Sequence, residues 1–274
     1  MRPLFATAFL ALSSASPALS AEPSKTADEP EFVYDCRSDR EFITTHEYLK
    51  RKKEFGLKPE DQRRIALDVT KGCTGAAASF IESTELLLKT GLDGRTAIIQ
   101  SRDLATKGPK FAKSFTAIYR GSFAKEYLDM DSGSSLRIAR RLTIEFKGDA
   151  DIAANDYLEL VKFCVETKGL DVPRPQCATM AARVAAYSAD SKLPVAKAFK
   201  VALTYLTEQK DVNLALRDAL PIAEALVAVS PESVERFKNA YEYASNKNGL
   251  DMPRAEAIQF AKTVAEGTKQ KKSL

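Results

Sequence analysis

From residue 32 onward, apolar residues recur at intervals of three and four, and strictly alternating runs are scarce. Ala, Leu, Lys and Glu fill these stretches, while Gly, Pro and Asp fall between them. The pattern predicts an all-α chain. Its helices are expected over roughly 37–54, 59–72, 75–90, 94–106, 109–127, 134–147, 150–168, 173–187, 194–210, 214–229, 231–247 and 253–266.

The order of these helices carries a second pattern. An aromatic residue is followed thirteen positions later by an apolar residue and a polar one: Phe115 by Leu128-Asp129, Tyr157 by Leu170-Asp171, Phe199 by Val212-Asn213, Phe237 by Leu250-Asp251. Phe80 leads to Leu92-Asp93 with one residue fewer. Successive aromatics lie 35, 42, 42 and 38 residues apart. A period near 40 with two helices per unit predicts an α-solenoid of about five to six helix-turn-helix repeats. The first pair, before residue 73, is atypical, as terminal units commonly are. The competing arrangement is a compact bundle of similar-length helices, which has no reason to keep a fixed aromatic-to-polar offset. The general shape resembles HEAT- or TPR-type repeats. The TPR pattern of Trp, Leu-Gly and Tyr is missing, and the chain contains no Trp.

One phrase nearly repeats. KGLDVPR begins at Lys168 and NGLDMPR at Asn248, and Gly169–Ala185 matches Gly249–Ala265 at eight of seventeen positions. In the expected reading, Gly169 and Gly249 end one helix in the left-handed conformation. Asp171 and Asp251 then cap the next helix, Pro173 and Pro253 occupy its first turn, and Arg174 and Arg254 project into solvent.

The ends of the chain read differently from its middle. Residues 1–21, MRPLFATAFLALSSASPALSA, have the three parts of a secretory signal: Arg2, the short apolar run Leu4 to Leu12, and small residues after Pro17. That run is too short to span a bilayer. Residues 22–31, EPSKTADEPE, lack aliphatic and aromatic side chains and read as a flexible lead-in. A single helical-repeat domain over 32–267 and a basic, disordered tail over 268–274 complete the expected organisation. Periplasmic or secreted localisation follows, with no stable membrane insertion once the signal is removed.

Charge narrows the partners. Loss of Arg2 lowers the formal net charge from +4 to +3, a balance that gives no argument for nucleic acid or anionic lipid. The basic clusters at Arg51-Lys52-Lys53, Arg63-Arg64 and Arg137 to Arg141 are interleaved with acids or set at helical spacing, as on solvated faces.

The four cysteines, Cys36, Cys73, Cys164 and Cys177, allow three pairings and contain no C-x-x-C spacing. Cys164 and Cys177 flank one helix-helix turn almost symmetrically, which predicts a Cys164–Cys177 disulfide and leaves Cys36–Cys73 for the first pair. A loop of that length stabilises by about 3 kcal/mol in the chain-entropy model. Free buried thiols are the alternative.

Chemistry is sparse. His46 is the only histidine, so metal triads and Cys-His pairs have little to build on, and no cofactor or metal is implied. No G-x-S-x-G or phosphate-loop motif occurs. Glu82-Ser83 is similar to the Glu-Ser of exported lytic transglycosylases, but the residues that follow, LLLKTGLDGRTAII, do not match that family's Gly-Leu-Met-Gln-like segment. The expected function is an exported, non-enzymatic repeat protein that binds a protein or peptide of the cell envelope. The alternatives are an exported enzyme acting on envelope polymer and a small-ligand binder with an apolar channel. Phe80, Phe115, Tyr157, Phe199 and Phe237 read as core between repeats. Tyr119, Tyr205, Tyr241 and Tyr243 are the candidate partner-binding residues.

Overall fold

In the computed structural model, residues 38–145, 148–166 and 172–267 are described, all within the compact unit Asp35–Leu274. The predicted signal, lead-in and basic tail lie outside the described residues, as do Cys36, Gly169 and Asp171. The described residues contain twelve α-helices and no strand. In chain order these are α1 (Ser38–Arg51), α2 (Pro59–Thr70), α3 (Ala76–Lys89), α4 (Gly94–Ala105), α5 (Pro109–Phe123) and α6 (Ser132–Arg140). The second half holds α7 (Ala150–Glu166), α8 (Arg174–Ser191), α9 (Ala196–Glu208), α10 (Leu216–Val229), α11 (Ser233–Ser245) and α12 (Arg254–Glu266). The expected boundaries hold to within a few residues. Helix α8 runs four positions further than expected, because nothing breaks it before the left-handed Lys192 (φ 56°) and Pro194.

Each odd-numbered helix packs on the even helix that follows it and also on the next odd helix. Helix α6 departs from this regularity. It continues into a π-helical turn, Arg141–Glu145, and that turn meets α5, α7 and α8. The expected core aromatics Phe80, Phe115, Tyr157 and Phe199 are fully buried, and Phe237 is 1 % exposed. Burying each such ring contributes about 1.5–3 kcal/mol of transfer free energy, so one aromatic per odd helix anchors the layer. Between these anchors, tyrosine hydroxyls join neighbouring odd helices. Tyr119 OH lies 2.6 Å from Thr90 Oγ1 and Tyr157 OH lies 2.7 Å from Ser122 Oγ.

Two carboxylates cap helices other than their own. Glu41 on α1 accepts from the backbone N–H of Gly75 (3.1 Å) and Ala77 (2.6 Å) at the start of α3. Asp156 on α7 accepts from the N–H of Val195 (2.6 Å) and Ala196 (2.9 Å) at the start of α9, and from Ser188 Oγ. Both acids are buried. Each satisfies orphan donors that a helix N-terminus would otherwise leave in the interior.

The turns after α5, α9 and α11 correct the expected reading of their polar residue. Asp129, Asn213 and Asp251 are left-handed, with φ of 48°, 35° and 47°. The next residue, Met130, Leu214 or Met252, donates its N–H to the carbonyl eight residues earlier, at 3.0, 2.8 and 2.8 Å. Asp251 therefore does not cap α12, whose N-cap position is Pro253 without a side-chain cap. Asp and Asn tolerate the left-handed region better than other non-glycine residues. Gly249 does not supply the left-handed residue either. It is needed for close approach, because a Cβ there would overlap Tyr243 O. Asp93 is a true N-cap, accepting from Thr96 N at 2.9 Å, and Asp131 does the same for Ser134 N at 2.8 Å.

Cys164 and Cys177 form a disulfide between α7 and α8. Cys73 is also disulfide-bonded.

Candidate functional site

The odd helices present grooves at their junctions. Between α1 and α3 a groove of about 500 Å³ is lined by Arg40, Glu41, Thr44, Ile81 and Glu82, among others. Between α3 and α5 a groove of about 480 Å³ is lined by Ser79, Glu82, Ser83, Lys113, Thr116 and Arg120, among others. The two share Gly75, Ala78 and Glu82 and so lie side by side along a trough on either side of α3. A third, of about 540 Å³, lies between α9 and α11 and is lined by Lys200, Val201, Thr204, Tyr205, Glu208, Gln209 and Lys238.

The geometry of the trough follows from helix periodicity. On α3, Ala78 and Glu82 are four residues apart and exposed on one face, and Ser79 and Ser83 lie one step inward and are buried. On α5, Lys113 and Arg120 are two turns apart and exposed, with Thr116 between them. Glu41 has its oxygens engaged in capping α3, whereas the Glu82 carboxylate makes no ion pair or hydrogen bond among the described residues.

The four candidate tyrosines fall in different surroundings. Tyr119 is fully buried, stacked between Phe115 and Phe123 of its own helix. Tyr241 is 2 % exposed, and its hydroxyl donates to Asp211 O at 2.7 Å. Tyr205 is half-buried beside the α9/α11 groove, edge-on to both Phe237 and Tyr241, with Lys238 Nζ 5.5 Å from its ring centre. Its hydroxyl is buried with no hydrogen-bond partner. Burial first, then the Glu242, Tyr241, Asp211 and Glu235 charges, push the Tyr205 phenol up to about 12. Tyr243 is 58 % exposed and lines a shallow depression of about 320 Å³ with Asn239, Glu242 and Asn246. The structure thus brings Tyr205 and Tyr241 into contact and leaves Tyr119 and Tyr243 apart from them.

Sequence reasoning placed no weight on Ser79, Lys113, Thr116 or Arg120, the residues that turn the α3/α5 junction into a polar groove. The available signal was the charged i, i+7 pair Lys113 and Arg120 on a helix with no acid in its first turn. Glu82-Ser83 does line the trough, with Glu82 exposed and Ser83 buried. His46 is partly exposed and stacks on Phe42 of its own helix, centroids 5.6 Å apart. Among the described residues, no group of three His, Cys, Asp or Glu is placed to hold a metal ion. No helix among them is long and apolar enough to cross a membrane.

These features define an all-helical protein of paired helices with grooves along one layer. No family model matches the chain, and neither does any curated protein or solved structure.

Proposed function

We propose that the chain is an exported α-solenoid, with a period near 40 residues, that binds a protein or peptide partner of the cell envelope and performs no chemistry on it. The odd-on-odd helix packing and the recurrent left-handed turn support the repeat reading. The N-terminal pattern of Arg2, apolar run and small residues supports export. The Cys164–Cys177 disulfide is in keeping with it, because such bonds persist in oxidising compartments.

The observation that carries the binding reading is the pair of grooves at α3/α5 and α9/α11, several of whose lining hydroxyls have no partner among the described residues. Among the described residues, Ser79, Ser83, Thr116 and Thr204 make no hydrogen bond through their side chains, while Thr84, Ser122, Thr143 and Thr207 donate to the carbonyl four residues back. A helical Ser or Thr ordinarily satisfies itself that way. Hydroxyls held free along a groove are donors and acceptors for an incoming backbone. Panning a random peptide display library on the purified, disulfide-intact protein tests the reading. Enriched peptides that bind saturably are expected, and no enrichment over an unrelated helical protein overturns it. Loss of residues 1–21 from protein recovered outside the cytoplasm tests the export half.

A further inference from the structure

We propose that the groove between α3 and α5 is a site for an acidic peptide segment, one that carries two carboxylates three residues apart in polyproline II conformation. This rests on the peptide-binding reading above and names the class of partner.

Lys113 and Arg120 line one wall, and neither makes an ion pair or hydrogen bond among the described residues. Their neighbours behave otherwise: Lys110, on the same helix, pairs with Asp151 at 3.1 Å, and Lys107 donates to Ile144 O at 3.1 Å. Glu82 lines the same groove, also unpaired. An acid and two bases therefore share one groove without closing on each other, which leaves space between walls of opposite charge.

The floor is equally unfilled. Ser83 is 1 % exposed and its hydroxyl has no partner, although Thr84 beside it donates to Phe80 O at 2.8 Å. A buried hydroxyl without a partner is disfavoured; Thr45, Ser101 and Ser135 share this state, and of the four only Ser83 lines this groove, where an occupant can satisfy it.

Spacing selects the occupant. Seven residues of α-helix separate Lys113 from Arg120 by roughly 10 Å. One turn of polyproline II helix, three residues at about 3.1 Å each, spans about the same distance and returns the side chain to the same face. A peptide with acids at positions i and i+3 therefore places one carboxylate at each cation. Its backbone oxygens meet Ser83 and Thr116, and its amide hydrogens or a basic side chain face Glu82. A polyanion with charge on every side meets repulsion at Glu82, which favours the peptide over nucleic acid or anionic lipid.

The test is fluorescence anisotropy with the purified, disulfide-intact protein and the labelled peptide Gly-Glu-Ala-Ser-Glu-Gly, against its counterpart with both Glu replaced by Gln. The Glu peptide is expected to bind about tenfold tighter or more at low ionic strength, with the advantage shrinking as salt screens it. Lys113→Gln with Arg120→Gln brings the Glu peptide down to the level of the Gln peptide. Both positions are exposed, so circular dichroism should remain that of the parent. Ser83→Ala weakens both peptides, and Glu82→Gln does not weaken the Glu peptide. Equal binding of the two peptides, or undiminished affinity in the double variant, overturns the proposal. If panning yields binders insensitive to Lys113 and Arg120, the peptide-binding reading stands and this site falls. If no peptide binds anywhere, both fall.

Discussion

Arg254 Nη2 donates a hydrogen bond to the backbone oxygen of Asn213 at 3.0 Å, tying the start of α12 to the turn after α9. The same arginine in the earlier copy of the phrase, Arg174, pairs with Asp129 at 3.4 Å, tying α8 to the turn after α5. Both targets are the left-handed residue of the preceding unit's turn. The arginines of Gly-Leu-Asp-x-Pro-Arg thus clamp one helix pair to the turn of an earlier one, although both remain exposed. Arg254→Met keeps most of the aliphatic stem and removes the donor. A loss of about 1 kcal/mol is expected, the net worth of one such bond, read as a lower midpoint in urea at unchanged slope. Arg95→Met is the control, since Arg95 is exposed and its side chain makes no hydrogen bond or ion pair among the described residues. Equal effects at the two positions would remove the clamp.

The conformation of Asp251 separates two roles that ask for the same residue. An N-cap accepts Thr readily, whereas a left-handed position rejects a β-branched residue and welcomes Gly. Asp251→Thr is expected to cost about 1–2 kcal/mol, and Asp251→Gly to be neutral or slightly stabilising. The order inverts two positions earlier, where Gly249→Ala is expected to destabilise because its methyl would overlap Tyr243 O. Thermal melts of the three variants rank them, and a benign Asp251→Thr would restore the capping role.

Much of the architecture was legible because it is local. The five aromatic anchors were readable as core from apolar neighbours at helical spacing, and all five are buried. The Cys164–Cys177 bond was readable from two positions placed evenly about one turn. The role of Asp251 was not, since Asp two residues before a helix-initiating Pro suits a cap and a left-handed turn alike. The caps supplied by Glu41 and Asp156 were not legible either. Each acts on a helix more than thirty residues away, and nothing in its own helix marks it. The α3/α5 groove is hidden for the same reason, because Ser83 and Lys113 come together only when consecutive odd helices pack.

Asp156 shows how much such a distant cap holds. Its carboxylate takes two backbone donors of α9 and the Ser188 hydroxyl, all in the interior. Asp156→Ala would leave two buried backbone donors without an acceptor, while Ser188 Oγ keeps its bond to Val184 O at 3.3 Å. Each group left unsatisfied costs about 1–3 kcal/mol. A large drop in the urea midpoint is expected, together with faster amide exchange at Val195 and Ala196. Asp156→Asn retains one oxygen and should fall between. Slow exchange at Val195 in the Ala variant would show that another group caps α9.

Tyr205 and Tyr241 touch, yet their hydroxyls differ. Tyr241 donates to Asp211 O at 2.7 Å, and Tyr205 has a buried hydroxyl with no partner. Tyr241→Phe is therefore expected to cost about 1 kcal/mol, and Tyr205→Phe to be neutral or stabilising. Ser83→Ala belongs with Tyr205→Phe in stability, although it weakens peptide binding in the α3/α5 groove. A stability loss in Tyr205→Phe equal to that in Tyr241→Phe would mean the Tyr205 hydroxyl has a partner in solution.

Buried phenols also set an alkaline limit. Burial pushes Tyr157 and Tyr205 up to about 12, and raises Tyr119 and Tyr241 as well. An unfolded tyrosine ionises near pH 10, so above that pH the unfolded chain has lost protons that the native chain keeps. The stabilising contribution is therefore complete below about pH 10 and is lost progressively as pH rises toward about 12. Fully buried Tyr157 alone accounts for on the order of 2–3 kcal/mol of that loss. Urea midpoints should fall steeply across this window, and tyrosinate absorbance from the buried rings should appear together with loss of helical circular dichroism. Tyr157→Phe also removes the contact with Ser122 Oγ, so it should lower stability at neutral pH while flattening the alkaline fall. Tyrosinate absorbance rising fully near pH 10 with the helices intact would show that these rings reach solvent without unfolding.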